Sequence, residues 1–316
     1  MMRFETGSWI HSHTGKYDLS QSGMYGRISL DKYFNVGSLV SEEDLKDYIA
    51  SINDCNKSHV VITHGATEAF FTSIYHIYET GVKNSKTNIP DYEPLYKLPP
   101  SMGYTSGDSG LFITSNPNNP TGALIQIPDG YSAYLIDETF LMFSSNLGKL
   151  NYPANTYRIN TFTKFFGGDD LRVGYIIAPS REDAEAIESL RGIFTEYVSR
   201  YNISVANRIL SDLDSIIQEV REIQAINYNF LMKNKSDLRF YLDRKPELGT
   251  VSFIDYSKYS KTDSLILSEL LSKESISVVP AKFFGISGPY IRVCYSRTDF
   301  PYSFDKLLDF LNRVSV

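Results

Sequence analysis

The lysine at position 164 stands inside Thr161-Phe162-Thr163-Lys164-Phe165-Phe166-Gly167-Gly168. An amine crowded by apolar rings loses hydration, which disfavours its charged form and makes it a better nucleophile. The ordinary alternative is a lysine that buries its stem and leaves its ammonium in water. Upstream, Ser115-Asn116-Pro117-Asn118-Asn119-Pro120-Thr121-Gly122 follows the apolar run Leu111–Ser115. Its prolines and glycine fix a loop, and its asparagines offer neutral hydrogen-bonding groups at the carboxyl end of a strand, where open α/β sheets bind ligands. A third segment, Tyr134-Leu135-Ile136-Asp137-Glu138, is an apolar strand that ends in two acids. An acid in that place is commonly a helix cap, so each of these segments alone also fits plain structural chemistry.

The elements that must position these groups are legible as periodic runs. Val60–Thr63, Leu111–Ser115, Tyr134–Asp137 and Tyr175–Ala178 are short apolar stretches bounded by turn residues, the pattern of strands buried on both faces. Helices are expected after the capping residue Ser41, from Thr67 to about Tyr78, and through most of 182–234. The remainder reads as strand Val251–Asp255, helix Asp263–Lys273, strands Ile276–Val279 and Tyr290–Tyr295, and helix Tyr302–Val314, a compact α+β unit. This divides the chain into an arm over 1–40, a large α/β domain over 41–235 with a boundary near Lys235, and a small domain over 236–316.

Composition limits the partners. The 316 residues carry 31 basic and 37 acidic side chains, a net charge of −6, which leaves no basic field for a phosphodiester backbone. No apolar run reaches the roughly 18 residues of a membrane span, and the first residues lack the apolar stretch of a signal peptide. Two cysteines, Cys55 and Cys294, fit a reducing compartment, so a cytoplasmic protein is expected. His11 and His13 have no acidic or thiol partner at metal-ligand spacing, and no metal is expected.

In order, the segments resemble the fold type I pyridoxal-phosphate enzymes, and within them the class I and II aminotransferases of the histidinol-phosphate aminotransferase and threonine-phosphate decarboxylase branch. The resemblance rests on His64-Gly65-Ala66-Thr67-Glu68-Ala69, the Asn116–Gly122 loop, Asp137-Glu138, Lys164 with Arg172 eight residues on, and Val279–Gly285 leading to Tyr290-Ile291-Arg292-Val293. It covers about residues 18–316 and implies a large domain with a mostly parallel, seven-stranded sheet, somewhat trimmed, beside a small α+β domain. It further implies that Lys164 holds pyridoxal 5'-phosphate as a Schiff base and moves the Cα proton, while Asp137 keeps the pyridine nitrogen protonated. Asn119 would donate to the phenolic oxygen, and Tyr92 would stack on the ring. Gly65, Ala66 and Thr67 at a helix start would bind the phosphate with Thr161, Thr163 and Arg172. Arg292 would clamp the α-carboxylate of the substrate beside Asn119 and Ser22. Tyr33 would reach the phosphate of a partner subunit in a homodimer. The implied reaction passes the amino group of an amino acid or derivative to a keto acid; a decarboxylase, lyase or cyclase keeps the same cofactor, and a non-catalytic binding protein would be expected to lack Lys164 or Asp137.

The chain also departs from that pattern. Phe140 stands where a tyrosine commonly donates to the phenolic oxygen, which leaves Asn119 as the main partner. The intervals from Thr67 to Asn119, 52 residues, and from Gly122 to Asp137, 15 residues, are short, so a strand or helix is expected to be missing near the mouth of the site. His64 is expected to be a packed residue, and Asp169-Asp170 loop polarity.

Overall fold

A computed structural model describes residues 3–24, 26, 28–144, 150–234, 238–247 and 249–315. Among them, seven strands form the large sheet in the order Val60–Thr63, Gly174–Ile177, Thr156–Thr161, Ala133–Asp137, Leu111–Ser115, Asn84–Thr87 and Thr105–Ser106. Gly174–Ile177 runs antiparallel to both neighbours and every other pairing is parallel. Both faces are covered, which explains the unbroken apolar runs. Val61, Leu135 and Ile176 pack under the helices Ala66–Glu79 and Arg181–Phe194. Val60, Ile62 and Ile177 pack under Glu42–Asn53 and Arg200–Ser211. Each such fully buried aliphatic side chain contributes about 1.5–3 kcal/mol.

All seven strands are therefore present, and what the interval before Asp137 lacks is a helix. Parallel strands are usually joined through a helical crossover. Residues 116–132, which join Leu111–Ser115 to Ala133–Asp137, contain none. The earlier interval keeps a compact strand Asn84–Thr87, helix Glu93–Ser101 and strand Thr105–Ser106.

The small domain holds an antiparallel sheet in the order Val279–Pro280, Tyr290–Cys294, Val251–Asp255 and Arg239–Phe240, packed on helices Ser264–Lys273 and Phe300–Arg313. The single strand expected over Ile276–Val279 is split at Val278. Ile276–Ser277 pairs in parallel with Tyr17–Asp18 of the arm, and Val279–Pro280 joins the four-stranded sheet. The arm also forms the helix Glu5–Ser12, whose Trp9 indole donates to the Val278 carbonyl at 3.0 Å. Lys235 lies outside the described residues. The helix before it, Leu213–Lys233, begins in the core of the large domain with Ile216 and Val220 and ends in that of the small domain with Leu231. No helix among the described residues is long and apolar enough to cross a membrane.

Candidate active site

Four strands of the large sheet end at one edge, and the residues just beyond those ends carry the chemistry. Register places Ser115 beside Asp137, and Thr161 and Thr63 on either side of Gly174. Lys164 follows Thr161 by three residues, Gly65 follows Thr63 by two, and Asn119 follows Ser115 by four. The Asn119 amide donates to the Ser115 hydroxyl at 2.7 Å, which folds the loop back over its own strand. Ser115, Asn119, Asp137, Thr161 and Lys164, with Ala66 and Thr67 just after Gly65, line a cavity of about 440 Å³.

One end of the cavity is built for an anion. Gly65 caps the helix Ala66–Glu79 with φ +87°, so the unpaired amides of the first turn point into the cavity beside Ala66 and Thr67. A Cβ on Gly65 would stand 3.3 Å from the Arg172 guanidinium, and one on Gly174 would stand 2.6 Å from the Gly65 carbonyl carbon. The Thr161 and Thr163 hydroxyls lie 2.9 Å apart on the same wall. Amides, hydroxyls and a fork-shaped cation in a cradle that a methyl group would crowd suit a phosphate monoester.

Lys164 is half-buried at the cavity floor. Desolvation holds its ammonium below the ordinary lysine value; Arg292 and Arg172 add to the effect and Asp169 opposes it. Asp137 is buried, and burial pushes its carboxyl up against the Thr139 hydrogen bonds and the Lys164 charge that favour ionisation. One Asp137 oxygen accepts the Thr139 amide at 3.0 Å. An acid in such surroundings gains from a cationic donor. A carboxylate, a desolvated amine and an anion cradle around one cavity are the donor set that a pyridinium ring bearing an aldehyde and a phosphate requires, so the residues fit pyridoxal phosphate.

Arg292 reaches the cavity from Tyr290–Cys294. Its Nη1 donates to Asn119 Oδ1 at 3.0 Å, its Nη2 donates to the Ser20 carbonyl, and its buried Nε has no partner. Desolvation lowers this guanidinium to about 10. A forked cation poor in counter-charge is poised for a carboxylate. Tyr92 and Ser22 line the same cavity, as does Phe140, buried where a hydroxyl was expected to be absent. Burial pushes the Tyr92 phenol up to about 12, so its ring is neutral.

Other expected residues lie elsewhere. Tyr33 is buried outside the cavity of its own chain, its hydroxyl donating to Asp212 at 2.6 Å. His64 is half-buried, its ring 3.1 Å from the Glu68 carboxylate. His11 lines the cavity while His13 stacks on Trp9 at 3.6 Å, so the two histidines diverge. Asp169 lines the cavity 3.8 Å from Arg172.

The structure adds residues that no motif marks. Asp91 accepts the amides of Tyr92 and Ser115, at 2.8 and 2.9 Å, and the Thr114 hydroxyl at 2.9 Å, fixing the Tyr92 loop to the strand that leads to Asn119. Glu93 accepts the Glu5 and Thr6 amides at 3.0 and 2.7 Å and the Thr6 hydroxyl at 2.6 Å, holding the arm helix at the cavity mouth. Gly23, at φ +100°, crosses Lys164 so closely that a Cβ would stand 2.7 Å from the Lys164 carbonyl oxygen, and Met24 donates its amide to that oxygen at 2.7 Å. A Gly inside the Ser-Gly-Met run was the one available signal.

Residues 70–301 match the model of the family described as aminotransferase class I and II. Histidinol-phosphate aminotransferase 2 of Archaeoglobus fulgidus is 26% identical over 262 residues, 77% of this chain and 68% of that protein. Aspartate aminotransferase of Pyrococcus horikoshii is 23% identical over 227 residues, 66% of this chain and 56% of that protein, so the match spans little more than half of its length. A PLP-dependent aminotransferase from Streptococcus suis superposes with a TM-score of 0.84 at 18% identity, covering 100% of this chain and 99% of that one. A mutant aspartate aminotransferase of Thermus thermophilus gives 0.77 at 15% identity, over 98% and 94% of the two chains. At those identities the structural likeness carries the fold.

Proposed function

The chain belongs to the class I and II aminotransferases, and we propose that it holds pyridoxal 5'-phosphate at Lys164 and passes the amino group of an amino acid or amino-acid derivative to a keto acid. The observation that carries this reading is the meeting of Lys164, Asp137, Asn119, Arg292 and the Ala66–Thr67 helix start in one cavity. When bound, the cofactor supplies an aldehyde for amine exchange and an electron sink for the carbanion at Cα.

The chain's residues do the rest. Gly65, Ala66, Thr67, Thr161, Thr163 and Arg172 bind the phosphate, Tyr92 covers the ring, and Asp137 holds a proton at the ring nitrogen. Asn119 donates to the phenolic oxygen without help from position 140. Arg292 grips the substrate carboxylate with its fork, and Ser22 lies beside it in the cavity wall. Lys164, whose free amine is favoured by desolvation, takes the proton from substrate Cα and returns it. A gripped carboxylate is not the group being lost, which favours amino transfer over decarboxylation.

The working unit is a homodimer in the cytoplasm, in which Tyr33 would reach the partner's site only by releasing Asp212. Ile193, Phe194 and Tyr197 are 77%, 53% and 77% exposed, and Phe194 packs edge-on to Phe71 of the helix that opens the anion cradle. This exposed apolar face suits a second copy of the chain, and the two free cysteines fit a reducing compartment. A monodisperse monomer by light scattering would overturn the dimer.

The deciding experiment adds single amino acids to the loaded protein and follows the cofactor absorbance. Conversion to the pyridoxamine form, reversed by a keto acid, is expected. Release of carbon dioxide or ammonia without that conversion would sink the reading in favour of a decarboxylase, lyase or cyclase.

A further inference from the structure

Asp91 is fully buried where the two domains meet, and its bonds lead to the cavity by two routes. A carboxylate offers about four acceptor positions, and each of Asp91's is taken. Its Oδ1 accepts the Tyr92 amide at 2.8 Å and the Ser115 hydroxyl, and its Oδ2 accepts the Ser115 amide and the Thr114 hydroxyl, each at 2.9 Å. The side chain cannot turn without giving up a bond. A carboxyl buried among such neutral donors is a costly tie between segments, and what it ties together are groups of the cavity.

The first route runs through the large domain. The Ser115 hydroxyl that donates to Asp91 accepts the Asn119 amide at 2.7 Å, and Asn119 Oδ1 accepts Arg292 Nη1 at 3.0 Å. The second runs through the small domain. The Asp91 amide donates to the Phe284 carbonyl at 3.2 Å, and the Arg292 guanidinium lies over the Phe284 ring, 5.4 Å from its centre. Phe284 is itself fully buried, packed with Phe253 and Val279 of the sheet that carries Arg292. Both routes close on the same guanidinium, and the Tyr92 amide joins them at Oδ1.

We propose that Asp91 is a positioning residue that holds Tyr92, Asn119 and Arg292 as one unit, keeping the ring cover, the donor to the phenolic oxygen and the carboxylate fork at fixed spacing. The roles of the three rest on the reading above; the unit itself does not.

The test uses Asp91→Asn, whose amide turns one acceptor into a donor, and Ser115→Ala, which cuts the route to Asn119 and leaves Asp91 its other donors. Two probes are titrated into the cofactor-free protein by calorimetry: pyridoxamine 5'-phosphate, and N-(5'-phosphopyridoxyl)-alanine, the same ring carrying an α-carboxylate. The natural protein is expected to bind the second at least about tenfold tighter, as a charged hydrogen bond would give. Each variant is expected to cut that advantage at least about threefold, and Ser115→Ala to remove nothing further once Arg292→Lys is present. An advantage unchanged in Ser115→Ala, or cut as deeply in the Arg292→Lys background, overturns the inference. Amide exchange of the cofactor-free protein reads the unit without either probe. Exchange over 116–122 and 281–285 is expected to quicken in Asp91→Asn; should that variant not fold, Ser115→Ala is expected to quicken 116–122. Unchanged exchange overturns the inference. If exchange quickens but the natural protein binds neither probe, or binds them equally, the reading of the site falls and the unit stands.

Discussion

Arg292 and Asn119 are joined by a 3.0 Å hydrogen bond between a strand of the small domain and a loop of the large one. The residue proposed to grip the substrate and the residue proposed to tune the cofactor are thus set by one contact. Arg292→Lys keeps the charge and loses the fork. The expected result is an amino-acid KM raised roughly 10- to 100-fold, the worth of a charged hydrogen bond of about 1.5–3 kcal/mol, with cofactor affinity little changed. Steady-state kinetics and a cofactor titration separate the two.

The Lys164 amine should titrate below free lysine, because desolvation and two arginines oppose its proton. Its labelling by an amine-directed reagent in the cofactor-free protein is expected to rise with pH around a midpoint below about 10.4. Removing one opposing charge with Arg172→Gln should move the midpoint up. A midpoint at or above that of free lysine counts against a desolvated nucleophile, and Lys164→Ala should remove both the labelling and the borohydride-fixed cofactor.

Gly174→Ala places a methyl group 2.6 Å from the Gly65 backbone and must push the anion cradle open. Cofactor affinity should fall at least about tenfold with the fold retained, read as a higher dissociation constant and an unchanged far-ultraviolet circular dichroism spectrum.

Asp91, fully buried, has its carboxyl pushed up to about 8, against about 3.9 in an unfolded chain. Between those values the native state binds more proton than the unfolded one, so this group's contribution to stability falls as pH rises. Asp91→Asn does not titrate there. The stability of the natural protein relative to the variant should decline from pH 5 to pH 8 in urea unfolding; a constant difference would refute the raised value.

Glu93→Gln preserves shape and removes the charge that grips the arm helix. KM for the amino acid should rise several-fold with kcat within about twofold, because a charged acceptor is roughly twice as strong as a neutral one. A loss confined to kcat would show that the helix does not act through substrate binding.

The site was largely legible because its pieces are local. The Asn116–Gly122 loop, the Asp137 strand end and the Lys164 segment each carry their own backbone signals, and the apolar runs that deliver them are buried on both faces. Where an element is stabilised from a distance, the signal fades. Thr156–Thr161 is central in the sheet, yet it reads Thr-Tyr-Arg-Ile-Asn-Thr, because Arg158 is neutralised at 3.0 Å by Glu138, just past the end of the neighbouring strand. Asn84–Thr87 has no apolar residue, and Glu93–Ser101 is a helix despite two internal prolines at its end. Asp91 and Glu93 act on partners across long stretches of chain, so no local pattern exposes them, and Gly23 is marked by nothing more than being a glycine. The 15-residue interval was legible as a shortening, but only the structure shows that a crossover helix, and not a strand, is absent.

The crossing of Gly23 over Lys164 sets an order of assembly. The Gly23 amide donates to Thr250, and Leu19 accepts the Cys294 amide, so residues made early can settle only against residues made late. During synthesis the lysine loop and the phosphate cradle are complete well before the strand that carries Arg292. A nascent chain stalled between them would hold Lys164 without the arm segment that crosses it or Arg292 beside it. Closure of the arm over Lys164 therefore waits on the strand Tyr290–Cys294 being made.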